Sequence, residues 1–436
     1  MKFTKKQGII IFGGLLALVL VGVIIFFGIR SAPKGQKVVL TAWGTDSKAV
    51  FEDLAGSYKN TSGVNFELDY TQVDASAYDG KLLSAFAAGT GPDIFEVGNR
   101  SVPKWLSLAA PIPVSLANTF NMTTLQADFP TVVAQDFAVN GQIYGLPLDL
   151  DTLVMLYNKD IFDSNGLVYP PKTWDDFETD VSKLRVVNNQ GQLTQSAAAI
   201  GGSKTSIANA SDLVFLLMLQ NGATMTGDNN TSAAFASNGP NNSNPGLAAF
   251  NFYLQFANSA SPYYTWNDGA GDAVENFIAG KTAIIFGYAS DITGIKQKAP
   301  FLNFGVAAMP QPANATIAVN YPKYTGFMVS RQSSQAAAAW PFIIFAGSNT
   351  TGESIYTKDT GEPPASRAYI AANLNDPNYG AFAAQALTAR SWHEADPVAI
   401  DGIMNTAIQN VLDGTLDSGR ALGTAQDSIT AIMQNR

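Results

Sequence analysis

The sequence predicts an α/β protein with two hydrophobic cores, preceded by one membrane-spanning helix. Its 436 residues are 46% hydrophobic, which is enough apolar material for two cores of ordinary domain size. Beyond residue 37, segments with the period of a strand alternate with segments of helical period, a pattern typical of sheets covered by helices. Before that point, residues 8–29 contain no charged side chain.

The uncharged stretch 8–29, as a helix, is long enough to cross a hydrocarbon layer of about 30 Å. Three lysines precede it, so the positive-inside tendency predicts that residues 1–7 form a cytoplasmic tail and that the rest of the chain lies outside the cell or in the periplasm. Cleavage as a signal peptide is the alternative. The segment GIRSAP lacks small residues at both positions expected before a cut, so we expect a retained signal anchor, with residues 30–37 as a linker.

Composition excludes several classes of function. The chain has no cysteine, which excludes disulfides, thiolate metal sites and cysteine nucleophiles. A single histidine, His393, excludes a multi-histidine zinc site, and we interpret it as a side chain of the surface or of a cleft rim. Four of the 26 basic residues and none of the 35 acidic ones fall within the first thirty positions, so the rest carries a net charge of -13. We therefore expect no metal, no cofactor and no nucleic-acid partner.

Helices and strands alternate from the start of the globular part. The segment VVLTAW predicts a strand, residues 47–60 a helix, residues 65–70 a second strand, residues 77–88 a second helix, and DIFEV a third strand. This rhythm predicts parallel sheets with covering helices.

The segment YGLPLDLDTLVMLYNKD predicts a strand with two distinct faces. Period-two alternation places Asp149 and Asp151 on one face and Leu148 and Leu150 on the other. We expect the carboxylates to face water and the leucines to face a core. In the following PPKTWDDF, Thr173 is the expected N-cap of a helix, with two aspartates in its first turn.

Four segments, in this order, resemble the family 1 extracellular solute-binding proteins, to which maltose-binding protein belongs. They are AFAAGTGPDIFEVGNR, YGLPLDLDTLVMLYNKDIFDSNGLVYPPKTWDDF, VENFIAGKTAIIFGY and YTGFMVSRQSSQAAAAWPFIIFAG. The resemblance implies a two-lobed periplasmic-binding-protein fold in which three crossovers form a hinge and each lobe is discontinuous in sequence. The implied lobes are 38–148 with 322–347, and 149–321 with 348–436.

The resemblance implies that the chain is the extracytoplasmic substrate-binding subunit of an ABC-type importer. A monomeric protein would capture a mono- or oligosaccharide in the cleft between the lobes and deliver it to permease subunits. A ligand-sensing ectodomain that works with a separate signalling protein is the alternative. A glycoside hydrolase is the third possibility, but Asp149 and Asp151 lie only about 7 Å apart along one strand and would not flank a glycosidic bond. We therefore expect no enzymatic activity.

Sugar recognition requires aromatic faces for the ring and polar groups for the hydroxyls. Residues of these types, at positions that the resemblance assigns to the cleft, are Trp43, Asp46, Asn99, Arg100, Asp149, Asp151, Trp266, Tyr288 and Trp392. Asn99 stands where maltose-binding relatives carry an acidic residue, so the particular sugar stays open. Packing is the alternative role for the tryptophans and for Tyr288, and a structural role in the hinge is the alternative for Asp151.

Overall fold

The structure is a computed structural model that describes residues 37–190 and 192–435. The predicted cytoplasmic tail 1–7 and membrane helix 8–29 lie outside these residues. Among the helices of the described part, none combines the length and the apolar character needed to cross a bilayer.

Thirteen strands are numbered here along the described chain. They are β1 (Val38–Gly44), β2 (Phe66–Gln72), β3 (Ile94–Gly98), β4 (Ala109–Ala110), β5 (Ala138–Val139), β6 (Gln142–Ile143), β7 (Gly145–Pro147), β8 (Val154–Asn158), β9 (Val186–Val187), β10 (Leu193–Ala198), β11 (Thr282–Gly287), β12 (Phe304–Ala307) and β13 (Thr325–Ser330).

The α-helices are numbered in the same way. They are α1 (Lys48–Ser62), α2 (Ala75–Ala87), α3 (Val102–Trp105), α4 (Met122–Asp128), α5 (Thr131–Phe137), α6 (Lys159–Ser164), α7 (Trp174–Leu184), α8 (Ala210–Gln220), α9 (Pro245–Leu254), α10 (Ala273–Ile278), α11 (Ala289–Lys298), α12 (Ala336–Ser348), α13 (Thr350–Thr360), α14 (Arg367–Asn373), α15 (Gly380–Ala386), α16 (Pro397–Leu412) and α17 (Ser418–Gln434).

Each lobe is built on one mixed sheet. In lobe 1 the strand order is β2-β1-β3-β13-β4, with β7 also paired to β13. In lobe 2 it is β12-β8-β11-β10-β9. The prediction of parallel sheets holds for the pairs β1–β2, β1–β3 and β10–β11, but β13 runs antiparallel to β3 and β8 runs antiparallel to β11. Both of these strands follow a passage from the other lobe and enter their sheet from the opposite end.

Two separate hydrophobic cores define the lobes. Along the chain, the first core gives way to the second between Leu150 and Leu153, and the second gives way to the first between Tyr321 and Tyr324. The third change comes later than the expected boundary at residue 348. From Trp392 onward the core residues belong to lobe 2, while on α15 Phe382 packs with lobe 2 and Ala383 and Ala386 pack with lobe 1. Tyr356 on helix α13 packs with lobe 1. Its ring lies 6.4 Å from that of Phe51 on α1, which explains why α13 stays with lobe 1.

The three crossovers between the lobes are hydrogen-bonded to one another. The amide of Leu153 donates to the carbonyl of Tyr321 at 3.0 Å, and the amide of Lys323 donates to the carbonyl of Asp151 at 3.0 Å. The third crossover joins them, because the amide of Arg390 donates to the carbonyl of Asn320 at 2.9 Å. The hinge is therefore a small, continuous hydrogen-bonded unit.

The local predictions around the first crossover have mixed outcomes. Leu148 and Leu150 lie in the lobe 1 core, as expected. The carboxylates of Asp149 and Asp151 do not face water, because each residue is only 3% exposed. The predicted cap is confirmed, since Thr173 Oγ1 accepts a hydrogen bond from a backbone amide of α7 at 3.1 Å.

The close packing of α12 on β7 gives a test of the hinge region. A Cβ added at Gly347 would collide with the carbonyl oxygen of Pro147, directly before the first crossover. Gly347→Ala is therefore expected to lower the free energy of unfolding by about 1–3 kcal/mol. At Gly56, in α1, an added Cβ meets nothing within 4 Å, so Gly56→Ala is expected to raise it by about 0.5–1 kcal/mol. Denaturant unfolding measures both, and equal effects of the two substitutions would contradict the packing argument.

Candidate functional site

Arg100 connects the two lobes. Strand β3 ends at Gly98, and a short turn, Asn99–Ser101, then directs the side chain of Arg100 out of lobe 1. The residue is only 8% exposed, because its guanidinium lies among carboxylates that belong to lobe 2. The guanidinium has five N–H donors, and it makes five hydrogen bonds to these carboxylates.

The partners of Arg100 come from three places in lobe 2. Nε and Nη2 donate to the two oxygens of Glu394 at 2.9 and 2.5 Å. Nη1 and Nη2 donate to the two oxygens of Asp401 on α16 at 3.2 and 2.7 Å. Nη1 also donates to Asp212 on α8 at 3.1 Å. We call these four residues the interlobe ion network.

Each carboxylate of the interlobe ion network also accepts a hydrogen bond from a hydroxyl group of lobe 2. Tyr288 donates to Asp212 at 2.9 Å and Tyr321 donates to Glu394 at 2.7 Å. The hydroxyl of Ser211 donates to Asp401 at 3.0 Å. Each carboxylate therefore keeps a fixed orientation toward the position of the guanidinium.

The interlobe ion network carries more negative than positive charge. Burial raises the pKa of Glu394 to about 7, although the charge of Arg100 opposes this shift. A buried ion pair is costly to break by removal of one partner, because the remaining charge loses both water and its counter-ion. The contact therefore holds the lobes together only while both sides are present.

A second group of acids lies beside the hinge, and we call it the hinge carboxylates. Its members are Asp46, Glu96, Asp149, Asp151 and Glu362. Burial raises the pKa of Glu96 and that of Glu362 to about 7, and in both cases the nearby charge of Asp46 adds to the shift. Burial, assisted by the charge of Glu362, also raises the pKa of Asp149 and of Asp151. The group is therefore short of positive charge.

The hydrogen bonds of Asp149 and Asp151 give these carboxylates a structural role in the hinge. Asp149 Oδ1 accepts from the amide and the hydroxyl of Thr325 at 2.8 and 2.6 Å. Asp151 accepts from the amide of Thr152 at 2.7 Å and from the amide of Ala289, at the start of α11, at 2.8 Å. Asp46 and Glu362 are only half-buried, so they are the hinge carboxylates that a solute can reach.

An interlobe cavity of about 1130 Å³ lies beside the third crossover. Its walls come from both lobes and from that crossover: Asn99, Val102, Pro103, Leu106, Thr131, Val132, Gln135, Asp136 and residues 138–140 of lobe 1; Leu219, residues 223–226, Asn229, Asn230, Ile317 and Ala318 of lobe 2; and residues 387–393. His393 is among them, which agrees with its interpretation as a cleft-rim side chain.

Asn99 belongs to a buried polar cluster at the wall of the interlobe cavity. Its amide nitrogen donates to Asp136 at 3.1 Å, and the hydroxyl of Tyr324 donates to the same carboxylate at 2.7 Å. Ser391, on the third crossover, donates to the other oxygen of Asp136. Burial raises the pKa of Asp136 to about 6. This cluster therefore connects α5 of lobe 1 to the third crossover.

The tryptophans and Asp46 occupy different environments. Trp43 is half-buried against the lobe 1 core at the end of β1, close to Asp46, whose carboxylate accepts from the hydroxyl of Tyr356 at 2.6 Å. Trp266 is fully buried in the lobe 2 core, and its indole N–H donates to Ser206 at 2.9 Å. The assignment of Trp266 to a ligand surface is therefore corrected, because its ring has no face outside the core.

Trp392 lies at the wall of the interlobe cavity and is 6% exposed. Its ring makes an edge contact with that of Phe215 at 5.2 Å. Within the described part of the chain its indole N–H has no hydrogen-bond partner. Trp392 thus packs in lobe 2 and borders the boundary between the lobes.

Sequence reasoning singled out Arg100 and Tyr288 as expected ligand contacts but missed the acids that surround them. Asp212 carried a signal, because it is the one charged residue in the helix ASDLVFLLMLQ. A carboxylate inside an apolar helix requires a partner when it is buried. For Glu394 and Asp401 no comparable local signal exists, since each lies in a segment of ordinary composition.

Most of the chain matches one known protein family. A model of the family described as bacterial extracellular solute-binding proteins matches residues 53–381. The chain belongs to this family. The resemblance seen in the four sequence segments is thereby confirmed, and this solute-binding protein has the two-lobed fold that it implied.

Individual relatives of this solute-binding protein are distant. A maltooligosaccharide ABC transporter solute-binding lipoprotein of Streptococcus pneumoniae is 24% identical over 376 residues, which is 84% of this chain and 81% of the relative. The sugar-binding protein MalE from Xanthomonas citri superposes with a TM-score of 0.77 at 20% identity, covering 92% of this chain and 98% of its own. A cyclic α-maltosyl-1,6-maltose binding protein from Arthrobacter globiformis superposes with a TM-score of 0.75 at 20% identity, covering 92% and 100%. These structures establish the fold.

Asp136 predicts a pH dependence with a definite sign. Burial raises its pKa from 3.8 to about 6, so between these values the folded protein retains a proton that the unfolded chain has lost. The stability contributed by this group is complete below pH 3.8 and is lost as the pH rises through about 6. The free energy of unfolding of Asp136→Asn should therefore fall less over this window than that of the wild type, by at most about 1.4 kcal/mol per pH unit. Unfolding titrations at pH 4 to 7 measure the difference, with the exposed Asp53→Asn as control; parallel curves for all three proteins would contradict it.

Arg100→Met is expected to separate the lobes. It leaves the buried carboxylates of Asp212 and Glu394 and the partly exposed one of Asp401 without a cation, at a cost of about 3–5 kcal/mol that lobe opening relieves by hydration. Because the chain has no cysteine, spin labels at Lys59→Cys in lobe 1 and Asp413→Cys in lobe 2 report the distance between lobes. The control, Lys104→Met, removes a partly exposed ion pair with Asp79 inside lobe 1.

The spin-label distance should increase in Arg100→Met and stay as in the wild type in Lys104→Met. An unchanged distance in Arg100→Met would show that the interlobe ion network does not hold the lobes together.

Proposed function

We propose that this protein is the extracytoplasmic substrate-binding component of an ABC-type importer and that its solute is a carbohydrate. The observation that carries the proposal is the polar boundary between two lobes that each have their own core. Two relatives, a maltooligosaccharide transporter's solute-binding lipoprotein and a cyclic α-maltosyl-1,6-maltose binding protein, support the choice of a carbohydrate.

The chemistry of the boundary suits a polyhydroxylated solute. Sugar hydroxyls accept from guanidinium groups and donate to carboxylates. Arg100 would offer its guanidinium to a solute once the lobes move apart, and Asp46 offers a half-buried carboxylate of lobe 1. Tyrosine and tryptophan rings at the same boundary, such as Tyr288 and Trp43, offer apolar faces to the C–H groups of the sugar. A solute that pairs with both lobes at once favours the arrangement in which they are close, which is capture by hinge closure.

The proposed ligand contacts lie at the boundary, where Trp43 and Asp46 are half-buried, while Arg100 and Tyr288 are buried in this arrangement and would be reached only when the lobes move apart. Trp43, Asp46 and Arg100 belong to lobe 1, and Tyr288 belongs to lobe 2. Asn99 and Trp392 border the interlobe cavity and extend the proposed surface toward the third crossover. Asp149 and Asp151 contribute through the hinge, because their oxygens already accept from backbone amides.

The location proposed for the protein follows from the family and from the sequence. Residues 8–29 would act as a retained membrane anchor with the amino terminus in the cytoplasm, while both lobes lie outside the cell or in the periplasm. The monomeric protein would deliver its solute to the permease subunits of the importer. The relative from Streptococcus pneumoniae is described as a lipoprotein, which is a membrane tether of another chemical kind.

Carbohydrate binding is tested by a thermal-shift panel on the full-length protein in detergent. Malto- and mannooligosaccharides are compared with amino acids and polyamines, because a ligand that binds only the folded form adds about 2.7 kcal/mol of stability at a hundred times its Kd. At least one saccharide should raise the unfolding temperature and shorten the distance between labels at Lys59→Cys and Asp413→Cys. Stabilisation by amino acids or polyamines alone would contradict the carbohydrate proposal.

Asp46→Asn should weaken the binding of that saccharide by about 1.5–3 kcal/mol through loss of a charged acceptor. Asp53→Asn, on the exposed side of α1, is the matched control and should bind normally. Isothermal titration measures both, and equal affinities would remove Asp46 from the site.

A further inference from the structure

We infer that Lys323, on the second crossover, is a further solute-contacting residue whose ammonium group donates hydrogen bonds to hydroxyls of the bound carbohydrate. The inference rests on the proposed function, because it requires that a carbohydrate binds between the lobes. It adds to that function a charged donor for the oxygen atoms of the sugar.

Lys323 is the exposed residue of a buried segment. The second crossover passes from the lobe 2 core at Tyr321 to the lobe 1 core at Tyr324, and both tyrosines are buried. Pro322 between them is buried as well, whereas Lys323 is exposed. Its backbone is held in the hinge, because its amide donates to the carbonyl of Asp151 at 3.0 Å. The hinge therefore presents a lysine side chain to solvent from a backbone position that is already fixed.

The ammonium group of Lys323 lies over an aromatic ring of lobe 2. Its nitrogen is 4.9 Å from the centre of the Tyr288 ring, which is the distance of a cation–π contact. The ring is itself oriented, because its hydroxyl donates to Asp212 at 2.9 Å. The proposed function gives this ring a stacking role. A sugar that reaches the Tyr288 ring therefore also reaches the ammonium group.

Donor groups that are free to meet a sugar are scarce at the boundary. The guanidinium of Arg100 makes five hydrogen bonds to lobe 2, and the hydroxyl of Tyr288 and the side-chain amide of Asn99 each donate to a carboxylate. Within the part of the chain that the structure describes, the ammonium group of Lys323 makes no hydrogen bond and no ion pair. Its three N–H donors are therefore available to a solute without the loss of an existing bond.

The charges around Lys323 favour a neutral sugar. Burial raises the pKa of Asp291, at the start of α11, and that of Glu362, and in both cases the charge of Lys323 opposes the shift. Acceptors thus lie near the donor, which suits hydroxyl groups that both accept and donate. An anionic sugar would gain one cation but would also meet these acids, so the field of the boundary opposes it.

Solute binding would exchange one contact of the ammonium group for a stronger one. A hydrogen bond from a charged donor stabilises more than a cation–π contact at an exposed site does. The flexible four-carbon chain of lysine lets the nitrogen leave the Tyr288 ring and turn to the sugar hydroxyls. The ring face that it leaves is then open to the C–H groups of the sugar.

Isothermal titration of the full-length protein with maltotetraose and with mannotriose tests the contact. Lys323→Met retains the apolar chain but removes the donor, so the saccharide that binds the wild type should bind this variant about tenfold more weakly. Lys323→Arg keeps a charged donor and should bind within about threefold of the wild type. Lys81→Met, on the exposed side of α2, is the matched control and should bind as the wild type does.

Chemical labelling tests the same contact without a substitution. Acetic anhydride modifies exposed lysine amines, and peptide mass spectrometry measures the extent of modification at each lysine. The bound saccharide should slow the acetylation of Lys323 and leave that of Lys81 unchanged. A lysine that served only as a counter-ion of the hinge carboxylates would show no such protection.

The outcomes separate this inference from the proposed function. Equal affinities of Lys323→Met and the wild type, or unchanged acetylation of Lys323 beside a saccharide that binds, would overturn the lysine contact and leave carbohydrate binding intact. Binding to Lys323→Arg as weak as that to Lys323→Met would overturn it too, because the charged donor would then have no effect. Binding of neither saccharide to the wild type would contradict the proposed function, and the lysine contact with it.

Discussion

The burial of one guanidinium between two lobes is the constraint on which the rest of the structure depends. Arg100 has given up water almost completely and has replaced it with five hydrogen bonds to lobe 2. The two cores on either side are separate, so apolar packing inside each lobe does not fix their relative position. The hydrogen bonds between the guanidinium and the carboxylates therefore set how closely the lobes approach. The contact is reversible, because water can hydrate the guanidinium and the carboxylates when the lobes separate.

The hinge complements this arrangement, because its own polar groups are satisfied at short range. Asp149 and Asp151 accept from backbone amides, and the three crossovers donate to one another. None of these bonds involves Arg100 or its partners. The lobes can therefore separate at the interlobe ion network while the hinge keeps its hydrogen bonds, which is the mechanical requirement for a protein that opens and closes around a solute.

Local structure was predictable from the sequence, whereas the site was predictable only in part. The cap at Thr173 and the inward faces of Leu148 and Leu150 follow from patterns within a few residues. The partners of Arg100 lie 112, 294 and 301 positions away, and no periodicity connects them. Trp266 shows that local composition can also mislead, because this aromatic residue in a polar segment lies inside the lobe 2 core. The third crossover was misplaced for a related reason, since α13 carries no sequence feature that assigns it to either lobe.

The raised pKa values at the boundary have one physical explanation, which applies both to the interlobe ion network and to the hinge carboxylates. Burial favours the uncharged form of an acid, and one guanidinium cannot neutralise three carboxylates at once. This is why the pKa of Glu394 is raised to about 7 despite two hydrogen bonds from Arg100. Burial is also the main reason why the hinge acids Glu96 and Glu362 have a pKa of about 7. A boundary of this composition therefore gains stability from each proton that its buried acids take up.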